Sequence, residues 1–279
     1  MLRIQKGAGA SARHVANLRS RLGQFSSTFG GKQIAELTVR DVDEWLLNLS
    51  NSENGKPLSP TTRNNFRRVL VSMFNFARDR GYCVDNPATK TARAKVIDKP
   101  VQILTVDQLS RLLKHAKPEL VPHLTIGAFA GLRRAELERL DWKEIDLDGG
   151  LIEIPASKAK SAQRRHVHIQ PNLSAWLRPH VKPSGKVTPS NYEELLKEAR
   201  NAAGIVQWPN NALRHSYASY YLPQFKSSEE LALELGHSGT DMIFRHYREL
   251  VKPAAAKRYW EIMPSDHDAK VVKFPNVVP

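Results

Sequence analysis

The amino-acid sequence predicts a mainly α-helical chain with one small antiparallel β-sheet, an α+β fold divided between two domains. Three observations support this prediction. Residues that can cap helices precede runs with apolar positions at helical spacing, residues 145–169 show an alternating pattern instead, and a charged, proline-containing stretch at 85–100 interrupts both patterns. With 279 residues, 41% of them apolar, the chain is long enough to bury a substantial core.

The first domain is predicted to contain a short helix and a longer one. Thr38 can cap the short helix, with Asp41 in its favourable first turn. Ser59 and Pro60 open the longer helix, and Gly81 is placed to end it. Apolar positions at helical spacing are predicted to be buried in both helices: Val42, Trp45, Leu46 and Leu49, then Phe66, Leu70, Met73 and Ala77.

Three arginines of the longer helix, Arg63, Arg67 and Arg78, lie outside its apolar stripe. They give the helix a basic face. Such a face can be exposed only to solvent or can contact phosphates, and the pattern alone fits both alternatives equally well. We predict DNA contact for all three, because residues 1–100 carry a net charge of +9, which suits a partner rich in phosphates.

The same patterns set the expected domain boundaries. We predict a helical DNA-binding domain at 1–90, a linker at 91–101 and a second domain at 102–264. Residues 265–279 show no periodicity and are predicted to be a disordered tail.

The second domain is predicted to combine helices with three strands. Thr105 and Gln108 form a capping-box pattern before a helical run. The segments IDLDGGLIEI and RRHVHI alternate in polarity, and the basic turn SKAKSAQ joins the second strand to the third. Helical patterns return at residues 192–203, 211–221, 228–235 and 254–262.

The formal charge of +14 favours a nucleic-acid partner, although many soluble proteins are basic for solubility alone. Residues 1–100 contribute +9 and the rest +5. Cys83 is the only cysteine, which excludes an intramolecular disulfide and a cysteine zinc site. The stretch 120–132 is too short and polar to span a bilayer, and no leader opens the chain, so we expect a reducing, cytoplasmic setting with no membrane partner.

Four residues in separate motifs can together cut a DNA strand without metal. Arg133 lies in GLRRAEL, Arg214 in ALRHS, and Tyr247 ten residues after His237 in LGHSGTDMIFRHYREL. Arginines can neutralise a phosphate, and a tyrosine can attack it to hold the DNA covalently. In order and separation these motifs, with the lysine of SKAK, resemble those of the tyrosine recombinase, or phage integrase, family across residues 125–250. The helical first domain is similar to that family's core-binding domain.

The resemblance implies a role for each matching residue. Arg133 and Arg214 match the two catalytic arginines of the family. Either arginine alone would be interpreted as a solvent-exposed surface charge. Glu136 matches a supporting acidic residue. Lys158 matches the general acid for the departing 5′ oxygen. Lys160 is predicted to contact DNA and is the alternative general acid. His237 would hydrogen-bond the phosphate, and Tyr247 would form the 3′-phosphotyrosyl bond without metal, ATP or any other cofactor.

One position departs from the family pattern. Three residues before Arg214 the family has a histidine, and this chain has Asn211. An amide can donate a hydrogen bond to a phosphate but cannot carry a proton at neutral pH. Asn211 therefore leaves open slower catalysis, a base elsewhere, or binding without efficient strand exchange.

His166 and His168 alternate on a predicted strand, as metal ligands can. No carboxylate or third histidine lies near them in sequence, and Arg164 and Arg165 disfavour a cation, so no metal site is predicted.

The sequence therefore predicts a site-specific recombinase that acts on double-stranded DNA, is associated with the nucleoid, and assembles as a tetramer on paired sites. The alternative is a non-catalytic or weakly active DNA-binding protein on the same scaffold. A type IB topoisomerase is the nearest enzymatic neighbour, and a metal-dependent nuclease is disfavoured because no acidic ligands cluster. The resemblance implies that residues 254–263 dock on a neighbouring protomer. The N-terminal region is too short to hold a separate arm-binding domain, so we expect either that the protein never had one or that this sequence is a fragment.

Overall fold

The structure is a computed structural model that describes residues 1–51, 53–97, 100–158, 163–237, 239–241, 243 and 251–264. Contacts divide the chain into two units, Met1–Lys99 and Pro100–Pro279. Helices and one three-stranded antiparallel sheet make up its regular structure, which confirms the predicted fold class.

Helices are the main regular structure among the described residues of the first unit. Its helices are α1 (Leu2–Gly7), α2 (Ala12–Phe29), α3 (Val39–Leu47), α4 (Pro60–Arg78) and α5 (Pro87–Lys90). The predicted caps of α3 and α4 are confirmed: the Thr38 hydroxyl accepts from the Asp41 amide at 3.2 Å, and Ser59 caps α4 through the Thr62 amide at 3.2 Å. Gly81 adopts a left-handed φ of 72° just beyond α4, where only glycine is free of strain.

Aromatic side chains form the core of the first unit. Phe25 of α2 lies edge-on to Trp45 of α3, with ring centroids 4.9 Å apart. Phe74 of α4 is fully buried, whereas the predicted core residue Met73 is only partly buried. Met73 packs against this core, whereas Phe74, which the predicted stripe did not include, lies within it beside Phe25, with ring centroids 6.3 Å apart.

The second unit holds the sheet and the remaining helices. The helices are α6 (Val106–His115), α7 (Val121–Phe129), α8 (Arg134–Leu137), α9 (Pro171–Leu177), α10 (Tyr192–Ala202), α11 (Ala212–Phe225), α12 (Ser228–Leu235) and α13 (Pro253–Trp260). The Thr105–Gln108 capping box that opens α6 is confirmed by hydrogen bonds of 2.9 and 3.1 Å. Every residue of α7 is buried, so this helix forms the centre of the core.

The sheet has the order β1 (Ile145–Asp146), β2 (Leu151–Ile154) and β3 (Arg165–His168). Its antiparallel register pairs Ile152 with Val167, and both side chains are fully buried. The alternating residues of β3 face the other way, so the side chains of His166 and His168 are exposed.

Helix α13 packs in the core of its own chain. Tyr259 stacks on Tyr220 of α11, with ring centroids 4.0 Å apart, and donates to the Ala128 carbonyl at 2.6 Å. The Trp176 indole donates to the Ile262 carbonyl at 3.1 Å. Tyr259 and Ile262 are therefore buried within their own chain, whereas Met263 is 53% exposed, and docking of this segment on a neighbour stays a prediction.

Within the described residues, no helix combines the length and apolar character needed to cross a membrane.

Candidate active site

Arg133 is held at the junction between α7 and α8. Its side chain donates to Glu136 at 3.0 Å and to the Gly236 carbonyl at 3.2 Å. Its backbone amide also donates to Glu136, at 2.9 Å, which makes this carboxylate the cap of α8. One acidic side chain therefore fixes both the backbone and the guanidinium of Arg133.

Arg214 lies in the first turns of α11 and is almost completely buried. Its guanidinium donates to the carbonyls of Gly131 and Leu235, each at 2.7 Å, and lies 3.2 Å from the Nε2 atom of His237. An arginine stays protonated at any ordinary pH, so a positive charge is fixed inside the protein by carbonyl dipoles.

The turn after α12 brings the predicted residues together. Leu235 accepts from Arg214, Gly236 accepts from Arg133, and the next residue is His237 itself. Gly236 has a left-handed φ of 62°, which ends α12 and directs its carbonyl towards Arg133. Arg133, Arg214 and His237 thus converge on three consecutive residues, an arrangement suited to an oxyanion such as a phosphate.

Arg165 is a site residue that the sequence analysis missed. It is buried on β3, donates to Glu136 at 2.7 and 3.2 Å, and donates to the Glu234 carbonyl at 2.8 Å. Burial raises the pKa of Glu136, but the hydrogen bonds and charges of Arg165 and Arg133 outweigh it and bring the pKa down to about 2. Arg164 and Arg165 are adjacent basic residues, and the sequence alone does not show which of them is buried. In the fold, the side chain of Arg165 is buried and that of Arg164 is exposed.

Lys158 has a different partner from the other predicted residues. Its ammonium group donates to both oxygens of Glu144, at 2.8 and 2.9 Å. Among the described contacts, none joins Lys158 to Arg133, Arg214 or His237. The alternative general acid, Lys160, lies outside the described residues.

Asn211 precedes α11 in a left-handed conformation, with φ 55° and ψ 30°. Asparagine tolerates this conformation better than most residues do. Its side chain is exposed and lines a cavity of about 330 Å³ that also reaches Arg214. Asn211 and Arg214 therefore line the same cavity, and a role for the amide at the phosphate stays a prediction.

Tyr247, the predicted nucleophile, lies outside the described residues. The competing tyrosines of α11 and α13 are all buried: Tyr217, Tyr220, Tyr221 and Tyr259. Burial raises the pKa of Tyr217 and of Tyr259 well above the ordinary value, so neither phenol is disposed to attack a phosphate.

The three arginines predicted to contact DNA have unlike surroundings. Arg67 donates to the Thr89 carbonyl at 2.9 Å and to the Thr91 hydroxyl at 2.9 Å. Arg78 lies on the surface beside Asp79, and the Nε atom of Arg63 is buried with no hydrogen-bond partner among the described residues. Arg67 therefore supports the fold of the first unit, whatever else it contacts.

The fold brings carboxylates to His168 that are distant in sequence. Its Nδ1 atom lies 2.7 Å from Glu234 and 3.9 Å from Glu230. The argument that no carboxylate lies near this histidine therefore fails in three dimensions. Glu234 is buried and also accepts from the Tyr217 hydroxyl, so its hydrogen bonds within the protein explain its position.

Comparisons with known proteins identify relatives in sequence and in fold. A tyrosine recombinase from Thermosipho africanus is 27% identical over 250 residues, which cover 83% of this chain and 88% of the relative. The fold is similar to that of a lambda integrase dimer bound to a core site, with a TM-score of 0.71, 16% identity and coverage of 90% and 94% of the two chains. It is also similar to a lambda integrase tetramer bound to a Holliday junction, with a TM-score of 0.69, 17% identity and coverage of 88% and 74%.

The sequence model of the phage integrase family matches residues 102–252, a span that contains every candidate catalytic residue named above. This match covers more than half of the chain. The chain belongs to the phage integrase family, whose members are the tyrosine recombinases.

Proposed function

We propose that this protein cuts and rejoins double-stranded DNA at specific recombination sites, through a 3′-phosphotyrosyl bond to Tyr247 and without metal or ATP. The observation that carries the proposal is the convergence of Arg133, Arg214 and His237 on the turn 235–237. Two fixed guanidinium groups and an imidazole can bind the non-bridging oxygens of one phosphate.

The proposed chemistry divides the work among these residues. The Tyr247 oxygen attacks phosphorus, its proton passes to water, and the bond from phosphorus to the 5′ oxygen breaks. Lys158 protonates the departing 5′ oxygen. Arg133 and Arg214 stabilise the extra negative charge of the pentavalent intermediate, and the covalent bond retains the energy needed for resealing.

The charge of the chain supports DNA as the partner. A formal charge of +14 is typical of proteins that neutralise phosphates, and residues 1–100 contribute +9 of it. We assign DNA binding to the first unit as well as to the catalytic one. We further propose assembly as a tetramer on paired sites, as in the neighbour bound to a Holliday junction.

Covalent capture tests the proposal directly. The protein is incubated with a library of random duplexes in the presence of a chelator, and DNA that stays attached in denaturing detergent is amplified and its cleavage position mapped. We expect a specific set of duplexes from the wild-type chain. Tyr247→Phe should yield none while binding the selected duplex with nearly unchanged affinity, because only one oxygen is lost.

Tyr82→Phe is the matched control, because Tyr82 is an exposed tyrosine of the first unit. It should yield adducts as the wild type does. Covalent adducts from Tyr247→Phe would mean that another residue is the nucleophile. Duplexes that bind tightly but never attach would instead support the second candidate, a DNA-binding protein in which Asn211 has replaced a proton-transfer group.

A further inference from the structure

We propose that Glu144 is the positioning residue for Lys158, and that it orients the ammonium group to protonate the departing 5′ oxygen. The inference rests on the proposed function and adds a residue to it. Lys158 donates to both carboxylate oxygens, at 2.8 and 2.9 Å, and the two side chains are 27% and 15% exposed. The pair is therefore well sheltered from water, unlike most lysine pairs of a protein surface.

Glu144 is fixed by its own backbone surroundings. It ends the short helical turn Trp142–Glu144, and its carboxylate accepts from the Asp141 amide at 2.9 Å. Trp142 is buried, and Ile145, the residue after Glu144, begins β1. Because the carboxylate caps its own turn, it has little freedom to follow a moving lysine.

Lys158 is also held at its backbone. Its amide donates to the Pro155 carbonyl at 2.9 Å, and its carbonyl accepts from Arg139 at 2.6 Å. A lysine side chain is long and flexible, so an ammonium group held only at the backbone would sample many positions. The contacts with Glu144 remove that freedom before DNA binds.

The proton count is compatible with this role. An ammonium group has three N–H bonds, and two of them are directed at Glu144. The third can pass to the 5′ oxygen as that oxygen takes the electron pair of the breaking P–O bond. Lys158 then becomes a neutral amine, and the 5′ hydroxyl returns the proton during resealing.

A change of leaving group tests whether Glu144 acts through Lys158. The captured duplex is prepared with its normal 5′ oxygen and, separately, with sulfur at that bridging position. A thiolate departs without being protonated, so cleavage of the sulfur substrate needs no general acid. We expect Glu144→Gln to slow single-turnover cleavage of the oxygen substrate at least about tenfold. The same variant should cleave the sulfur substrate at the wild-type rate.

Lys158→Met should show the same pattern more strongly. Glu153→Gln is the matched control, because Glu153 pairs at 2.8 Å with the exposed Arg164 and its change removes the same charge. It should leave both rates unchanged. If Glu144→Gln fails to fold, Glu144→Asp keeps the charge but draws the carboxylate back by one methylene, and it should again slow only the oxygen substrate.

Equal slowing on the two substrates would overturn the proposal, because Glu144 would then support the fold or the bound DNA. An unchanged or faster rate of Glu144→Gln on the oxygen substrate would also overturn the proposal. The ion pair would then have no effect on proton transfer, or would hold Lys158 away from the 5′ oxygen. Failure of the proposed function is a separate result, in which the wild-type chain forms no adduct with either duplex.

Discussion

Glu136 joins two arginines of the candidate site. It is 2% exposed and binds the guanidinium groups of Arg133 and Arg165, and it also caps α8. A buried charge pair contributes little net stability, but removal of one member leaves the other charge uncompensated. The position of Arg133 and the stability of the second unit therefore depend on the same carboxylate.

We predict that Glu136→Gln destabilises the protein by about 3–5 kcal/mol, because Arg165 keeps its buried charge without a counter-ion. Urea unfolding measures the change. Glu138→Gln serves as the control: Glu138 lies on the surface next to α8 and pairs with Arg134, so its loss should cost about 1 kcal/mol or less. Similar losses for the two variants would contradict the prediction.

His123 gives the second unit a dependence on acid. Burial lowers the pKa of this histidine to about 4, and its Nδ1 atom lies 2.8 Å from the Thr188 hydroxyl. Glu138 and Arg134 are the charged groups that act on it. The unfolded chain binds a proton near the ordinary value of 6.5, whereas the folded chain binds it only near 4, so unfolding takes up a proton between these values.

We predict that His123 contributes its full stability above pH 6.5 and loses it as the pH falls towards 4, by about 3 kcal/mol in all. His123→Phe keeps a ring beside Tyr192 but cannot titrate. Its unfolding free energy should therefore change less than that of the wild type over this range. If the unfolding free energies of the two proteins changed in parallel with pH, groups other than His123 would be responsible for the acid sensitivity.

At the level of elements, helix boundaries and caps are largely readable from the sequence. Thr38, Ser59 and Thr105 each mark a helix start, because a cap needs only a local side chain and its neighbours. Helix α2 was missed although its signal is present: Val15, Leu18 and Phe25 are spaced for one buried face. Arg165, Glu144 and Glu234 could not be identified, because their partners lie far away in the chain.

Helix α4 shows that residues of one basic face can have different roles. We predict that Arg67→Ala lowers the unfolding free energy by about 1–3 kcal/mol, because the carbonyl and hydroxyl of the buried residue Thr91 lose their donor. Arg63→Ala and Arg78→Ala should instead each reduce the slope of log affinity for DNA against log salt by about 1. Arg40→Ala is the stability control, since that side chain is 86% exposed. An unchanged slope in both Arg63→Ala and Arg78→Ala would mean that this face is exposed to solvent and does not contact DNA.

At the level of the whole molecule, each unit has its own hydrophobic core, one around Phe74 and one around α7. We predict that residues 1–97, expressed alone, unfold cooperatively and bind duplex DNA with a steep dependence on salt, because the first 100 residues carry +9 of the net charge. Thermal unfolding and binding at several salt concentrations measure this. A fragment that unfolds without a cooperative transition, or whose affinity for DNA does not change with salt concentration, would contradict this prediction.

The left-handed turn at Gly131 affects which mutations the chain can tolerate. Gly131 has a φ of 63°, and a methyl group there would lie 2.3 Å from the ring of Tyr217. Its carbonyl accepts from Arg214, and Tyr217 in turn binds Glu234. One added carbon at this uncharged position would therefore disturb the turn that holds the guanidinium of Arg214, a residue of the proposed phosphate site. In a genetic screen for inactive alleles, substitutions at this glycine should be recovered alongside those at the arginines, because neither kind of allele leaves the phosphate site intact.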